Sequence, residues 1–96
     1  MAFKVLYREE ALAELEALPD WSQTNHPETW EEFANGLLNH VDLLATLPYI
    51  GVAVEHHSGI RRLLHSPFYV YYFVDEVRGA IEILHFWHAA RRTPEL

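Results

Sequence analysis

The stretch Phe68–His88, FYVYYFVDEVRGAIEILHFWH, decides how this 96-residue chain is read. Two apolar runs, Phe68–Val74 and Ala80–Trp87, flank a short polar break at Asp75–Gly79. β-Branched and aromatic residues fill both runs, and Gly79 can take the positive φ a tight turn needs. The pattern predicts a hairpin of two buried strands. The first run has no polar side: Phe68, Val70, Tyr72 and Val74 share one face, and Tyr69, Tyr71 and Phe73 the other. A strand apolar on both faces sits inside its sheet and needs cover on both sides.

The preceding residues offer that cover. Ile60–His65, IRRLLH, reads as a further strand ending in a Ser66-Pro67 turn, and Gly51–His56 as a weaker one ending in the turn His57-Ser58-Gly59. Before them, Ala11, Leu12, Leu15 and Leu18 recur at three- and four-residue steps, which predicts a short helix over Glu9–Leu18 stopped by Pro19. Asp20–His26 reads as a connector. Pro27 then opens a second helix, whose apolar set Trp30, Phe33, Ala34, Leu37, Leu38, Val41, Leu44 and Ala45 keeps a 3.6-residue period up to Leu47. Phe3–Arg8 alternates as a first strand, and Ala89–Leu96 is a short polar tail. The expected fold is α+β in the order β-α-α-β-β-β-β, one domain over residues 1–96. Its sheet is antiparallel, the last four strands form a meander, and an N-terminal αα-hairpin packs on one face.

Composition narrows the function. Half the residues are hydrophobic, enough for a real core at this length and against global disorder. Without cysteine there are no disulfides or thiolate metal sites, which suits a reducing cytoplasm. No apolar run approaches the ~20 residues of a membrane span, and MAFKVLYREE lacks the uninterrupted apolar segment of a signal peptide. A cytoplasmic protein with no membrane partner is expected. The net charge is −7 and the pI about 5.4. Residues 1–50 carry the whole acidic excess, while Arg61, Arg62, Arg78, Arg91 and Arg92 balance the acids of residues 51–96. Such a chain lacks the general attraction that drives nonspecific nucleic-acid binding. Any contact with DNA or RNA would be local, through the C-terminal arginines.

No glycine-rich phosphate loop, Gly-x-Ser-x-Gly or His-Glu-x-x-His motif is present, and no cofactor is implied. The adjacent His56 and His57 point to opposite faces of a strand, as do His85 and His88, and no histidine pair has helical i, i+4 spacing, so no metal site is expected. The better constellation is Arg61 and Arg62 on the third strand with His88, Arg91 and Arg92 at the end of the fifth. Arginine can clamp phosphate or carboxylate, and histidine can move a proton near neutral pH. The alternative is that these arginines are solvent-facing or paired with helix glutamates. Trp87, Phe86 and the tyrosines of the fourth strand read as core.

Taken together, these pieces resemble the RelE/ParE superfamily of toxins from type II toxin–antitoxin systems, nearer the ParE branch. The resemblance runs through FKVLYREEALAELEAL, Leu44–Pro48 with Gly51, Ile60-Arg61-Arg62-Leu63, Pro67–Val74, Ile81–Leu84 and the closing His88-Ala89-Ala90-Arg91-Arg92. It implies a growth-arresting toxin held in check by a cognate antitoxin. In the ParE branch the implied target is DNA gyrase. In the RelE branch the implied activity is mRNA endonuclease at the ribosome, which here would use Arg62, His88 and Arg91. The acidity and the lack of a tyrosine after Tyr72 favour the ParE reading. A third reading is a degenerate toxin fold kept as an interaction module. Arg61, Arg62, Tyr69, Tyr71, His88, Arg91 and Arg92 are the candidates for partner or target contact. The second face of Phe68–Val74 is expected to be left partly bare for an antitoxin segment or a second copy of the chain.

Overall fold

A computed structural model of the protein describes residues 2–25 and 29–96, with side chains at all of these except 21–25. The elements are β1 (Lys4–Tyr7), α1 (Glu9–Asn25), α2 (Trp30–Asp42), a 3-10 turn at Leu43–Ala45, β2 (Val52–Ala53), β3 (Ile60–His65), β4 (Phe68–Asp75) and β5 (Ala80–His88). They form one five-stranded sheet in the order β1-β5-β4-β3-β2. The fold is α+β with the expected element order, and β2 to β5 form the expected antiparallel meander. The sheet as a whole is not antiparallel. β1 pairs with β5 in parallel, Lys4 opposite Ala80 and Tyr7 opposite Ile83, so the sheet is mixed. The two helices between β1 and the meander carry the chain away from the sheet and bring it back at the far edge, which leaves β1 to dock beside the last strand.

Pro19 does not stop the first helix, which runs through it to Asn25. A proline removes one backbone N–H donor and strains the turn before it, but buried Leu18 and Ala11 hold this helix on the core and outweigh that cost. The expected connector is therefore helical over Asp20–Asn25, and the restart at Pro27 lies outside the described residues. Thr29 caps α2, its Oγ1 accepting the Glu32 N–H at 3.2 Å. The α-helix ends at Asp42 and continues as a 3-10 turn, short of the expected Leu47.

Register assigns every side chain to a face, because directly paired residues point the same way. Leu63, Phe68, Val70, Tyr72, Val74, Ile81, Ile83 and Phe86 lie under the helices and pack with Phe33, Leu37, Val41 and Leu44. A bulge in β5 makes this possible. Tyr71 pairs with His85 and Tyr72 with Ile83, so Leu84 is the extra residue. Without it, strict alternation would send Phe86 away from the helices. The opposite face carries Arg62, Leu64, Tyr69, Tyr71, Phe73, His85 and Trp87, and among the described residues no helix lies across it.

The tail is less loose than its composition suggests. Trp87 Nε1 donates to the Arg92 carbonyl at 2.6 Å, and Pro94 is buried. No helix among the described residues is long and apolar enough to cross a membrane.

Candidate functional site

The helix-free face of the sheet holds the residues most suited to contact with another molecule. Arg62 on β3 lays its guanidinium over the Tyr69 ring, 4.3 Å from the centroid. Arg91, in the turn after β5, does the same over Trp87 at 3.8 Å. Tyr69 and Tyr71 meet edge to face at 6.0 Å. Among the described residues neither guanidinium has a carboxylate partner, so both keep their in-plane N–H donors for something else. Leu64 is 53% exposed and Val52 67% exposed beside them, while Tyr69 and Phe73 are half-buried. Tyr71 is only 1% exposed. The expectation of a partly bare second face thus applies to Tyr69 and Phe73, and not to Tyr71. Beyond Arg62, a polar cleft of about 420 Å³ opens between the β2–β3 connection and the tail, lined by Glu55, His56, His57 and Thr93.

The remaining candidates lie elsewhere. Arg61 faces the helix side of the sheet, where its Nη1 donates to the carbonyls of Gly51 at 2.7 Å and Tyr49 at 3.2 Å. Its guanidinium also covers the Tyr49 ring, and the Tyr49 hydroxyl donates to Glu76. Tyr72 completes this support: its hydroxyl accepts the Gly51 N–H at 2.9 Å and donates to the Pro48 carbonyl at 2.8 Å. Burial pushes the Tyr72 phenol above its ordinary range, which keeps the donor proton in place. His88 also turns toward the helices, against Phe68 at 5.4 Å, and its Nδ1 accepts the Ala90 N–H at 3.1 Å. Arg92 contributes its carbonyl to Trp87, and its side chain is exposed. Of the proposed cluster, the fold brings Arg62, Tyr69 and Tyr71 to one face; Arg91 stands at the strand end, stacked on Trp87 and lining a cavity with His88, while Arg61 lies apart.

Two further groups escape the sequence reading, which assigns Trp87 to the core although it is half-buried on the helix-free face. Trp87 is the platform for Arg91, four residues on, and the spacing across the strand end was the available signal. Glu14 reaches the edge of β5 just beyond the end of β1. Its carboxylate accepts the Phe86 N–H at 3.0 Å and lies 3.0 Å from His85 Nδ1. It stands three residues after Ala11 and four before Leu18, on the helix's buried stripe, which marks it off from the solvated glutamates around it.

This arrangement meets an independent comparison. The family profile described as "ParE toxin of type II toxin-antitoxin system, parDE" matches residues 5–93, almost the whole chain. The chain belongs to the ParE toxin family. Among solved structures, a chain of the chromosomal ParDE toxin–antitoxin system from P. aeruginosa superposes with a TM-score of 0.72 at 21% identity, covering 91% of this chain and 96% of that one. A chain of the toxin–antitoxin complex RelBE2 from Mycobacterium tuberculosis gives 0.67 at 15% identity, covering 92% and 99%. At these identities the likeness is one of fold. No curated protein matches the sequence closely enough to count as a relative. Within the ParE family, the acidity of this chain is carried by its two helices and leaves the arginine-bearing face of the sheet distinct from them.

Proposed function

We propose that this ParE-family toxin works by binding rather than by cutting. A cognate antitoxin segment seated on the helix-free sheet face neutralises it, and its cytoplasmic target is DNA gyrase. One observation carries the reading: on that face two arginine–aromatic stacks, neither paired with a carboxylate among the described residues, stand among exposed apolar side chains. An amphipathic partner segment fits such a surface, its apolar side on Leu64, Tyr69 and Phe73 and its carboxylates on Arg62 and Arg91. The endoribonuclease reading asks Arg62, His88 and Arg91 to act together, and His88 turns away from Arg62, toward Phe68.

Expression of the chain alone in a bacterial host is expected to halt growth and induce a DNA-damage reporter. Co-expression of the antitoxin gene beside it should restore growth. Arrest with cleaved mRNA and a silent reporter would establish the endoribonuclease instead, and harmless expression in several hosts would leave an interaction module. Arg62→Gln and Tyr69→Ala should each weaken antitoxin binding roughly 10-fold or more, in keeping with anchors at the centre of an interface. Unchanged affinity in both would place the antitoxin elsewhere.

A further inference from the structure

We propose that His40 and His65 form a two-histidine chelate for a divalent transition metal that favours right-angled coordination, Cu(II) or Ni(II). His40 lies in the last turn of α2 and His65 ends β3, 25 residues apart in sequence, yet their Nδ1 atoms are 3.0 Å apart. Both side chains are half-buried, with ring centroids at 5.2 Å. The edge-to-face contact with Phe33 at 5.8 Å fixes the His65 ring. The same ring faces Gly36, where even a methyl group would stand 3.7 Å from its Cε1.

Two imidazole nitrogens this close need something between them. Without metal it is a shared proton, one ring donating Nδ1–H to the Nδ1 lone pair of the other. The spacing also suits a metal. With metal–nitrogen bonds of about 2.0–2.1 Å, ligands at a right angle stand about 2.9 Å apart and tetrahedral ones about 3.3 Å. The observed 3.0 Å is an ordinary hydrogen-bond length that also lies close to the first, and a pair of imidazoles is a donor set that suits Cu(II) and Ni(II). On binding, the proton between the rings leaves that Nδ1 and the ring takes one at Nε2 instead. Both rings then ligate as neutral imidazoles. Among the described residues no group of three or more His, Cys, Asp or Glu converges, so the two imidazoles are the ligands these residues supply. One ligand sits on a helix and the other on the sheet, so the metal ties α2 to β3 and selects the folded chain.

Thermal unfolding of the full chain with Cu(II), Ni(II) or Mg(II) alone tests this. At a hundredfold excess over its Kd, Cu(II) should raise Tm by roughly 10 °C, Ni(II) by less and Mg(II) not at all. His40→Gln and His65→Gln should each abolish the rise, and the double variant His56→Gln/His57→Gln should keep it. Electron paramagnetic resonance of the Cu(II)-loaded wild type gives a readout independent of variant folding, with hyperfine splitting from two imidazole nitrogens expected. An unchanged wild-type Tm, a rise that survives both single substitutions, or a spectrum lacking two imidazole nitrogens would overturn the proposal.

Discussion

Gly51→Ala is expected to destabilise the protein by about 2–4 kcal/mol, one of the larger effects a single methyl can have. A Cβ at this position would stand 2.6 Å from the Tyr72 hydroxyl oxygen, 2.8 Å from Tyr72 Cε1 and 2.8 Å from the Arg62 carbonyl oxygen. None of these can yield cheaply. The Arg62 carbonyl belongs to the backbone of β3, and Tyr72 is fully buried in the core. Moving either one would stretch the bonds that tie Gly51 to Tyr72 and Arg61, the second of them 2.7 Å long. Buried donors and acceptors would lose their partners, at about 1–3 kcal/mol each. The urea midpoint should fall accordingly, with the slope unchanged. Gly36→Ala is the matched control: its Cβ meets only His65 at 3.7 Å, an ordinary contact. Within α2 it should be neutral or gain up to ~1 kcal/mol from helix propensity. Equal midpoints for the two variants would refute the close approach at Gly51.

Glu14→Ala should cost about 2–3 kcal/mol, far more than alanine at the exposed Glu9, Glu10 or Glu16. β1 ends at Tyr7, and the Arg8 N–H still donates to the Ile83 carbonyl at 2.9 Å. Beyond that point β5 has no neighbouring strand on this side among the described residues. The Glu14 carboxylate takes the place of the next strand by accepting the Phe86 N–H and holding His85. Removing it leaves a half-buried amide without an acceptor beside the bulge that sets which face Phe86 and Trp87 occupy. Glu14→Gln keeps an oxygen for the Phe86 amide and should recover part of the loss. Hydrogen exchange at Phe86 provides the local readout: its protection should drop in the alanine variant and largely return in the glutamine variant. Protection that stays at the wild-type level in Glu14→Ala would show that another group holds this edge.

Most of the fold was legible because its signals are local. β3 occupies Ile60–His65 as expected, and the hairpin of β4 and β5 extends its expected limits by one residue each. The helix boundary at Pro19 was misjudged because proline weakens a helix without vetoing it, and only tertiary packing decides the outcome. The parallel pairing of β1 is invisible in an alternating hexapeptide, which suits either orientation. The candidate site was half legible. Arg62, Tyr69 and Arg91 follow from strand position and charge. The neighbours Arg61 and Arg62 were grouped, although alternation sends them to opposite faces of the sheet. The Glu14–His85 and His40–His65 contacts join residues 71 and 25 positions apart, a separation that no sequence periodicity encodes.

The parallel docking of β1 has a consequence for the order of assembly. Of the strands in this sheet β1 is made first, and among the described residues its one partner is β5, the strand made last. Closing Lys4 against Ala80 joins residues far apart in sequence, the kind of distant contact that delays folding of the sheet until β5 has been made. During synthesis the helices and the β3–β4 hairpin can form, but the row of the helix-free face that bears His85 and Trp87 does not yet exist. The surface on which a partner would act therefore appears in one late step, when β5 slides between β4 and the waiting first strand.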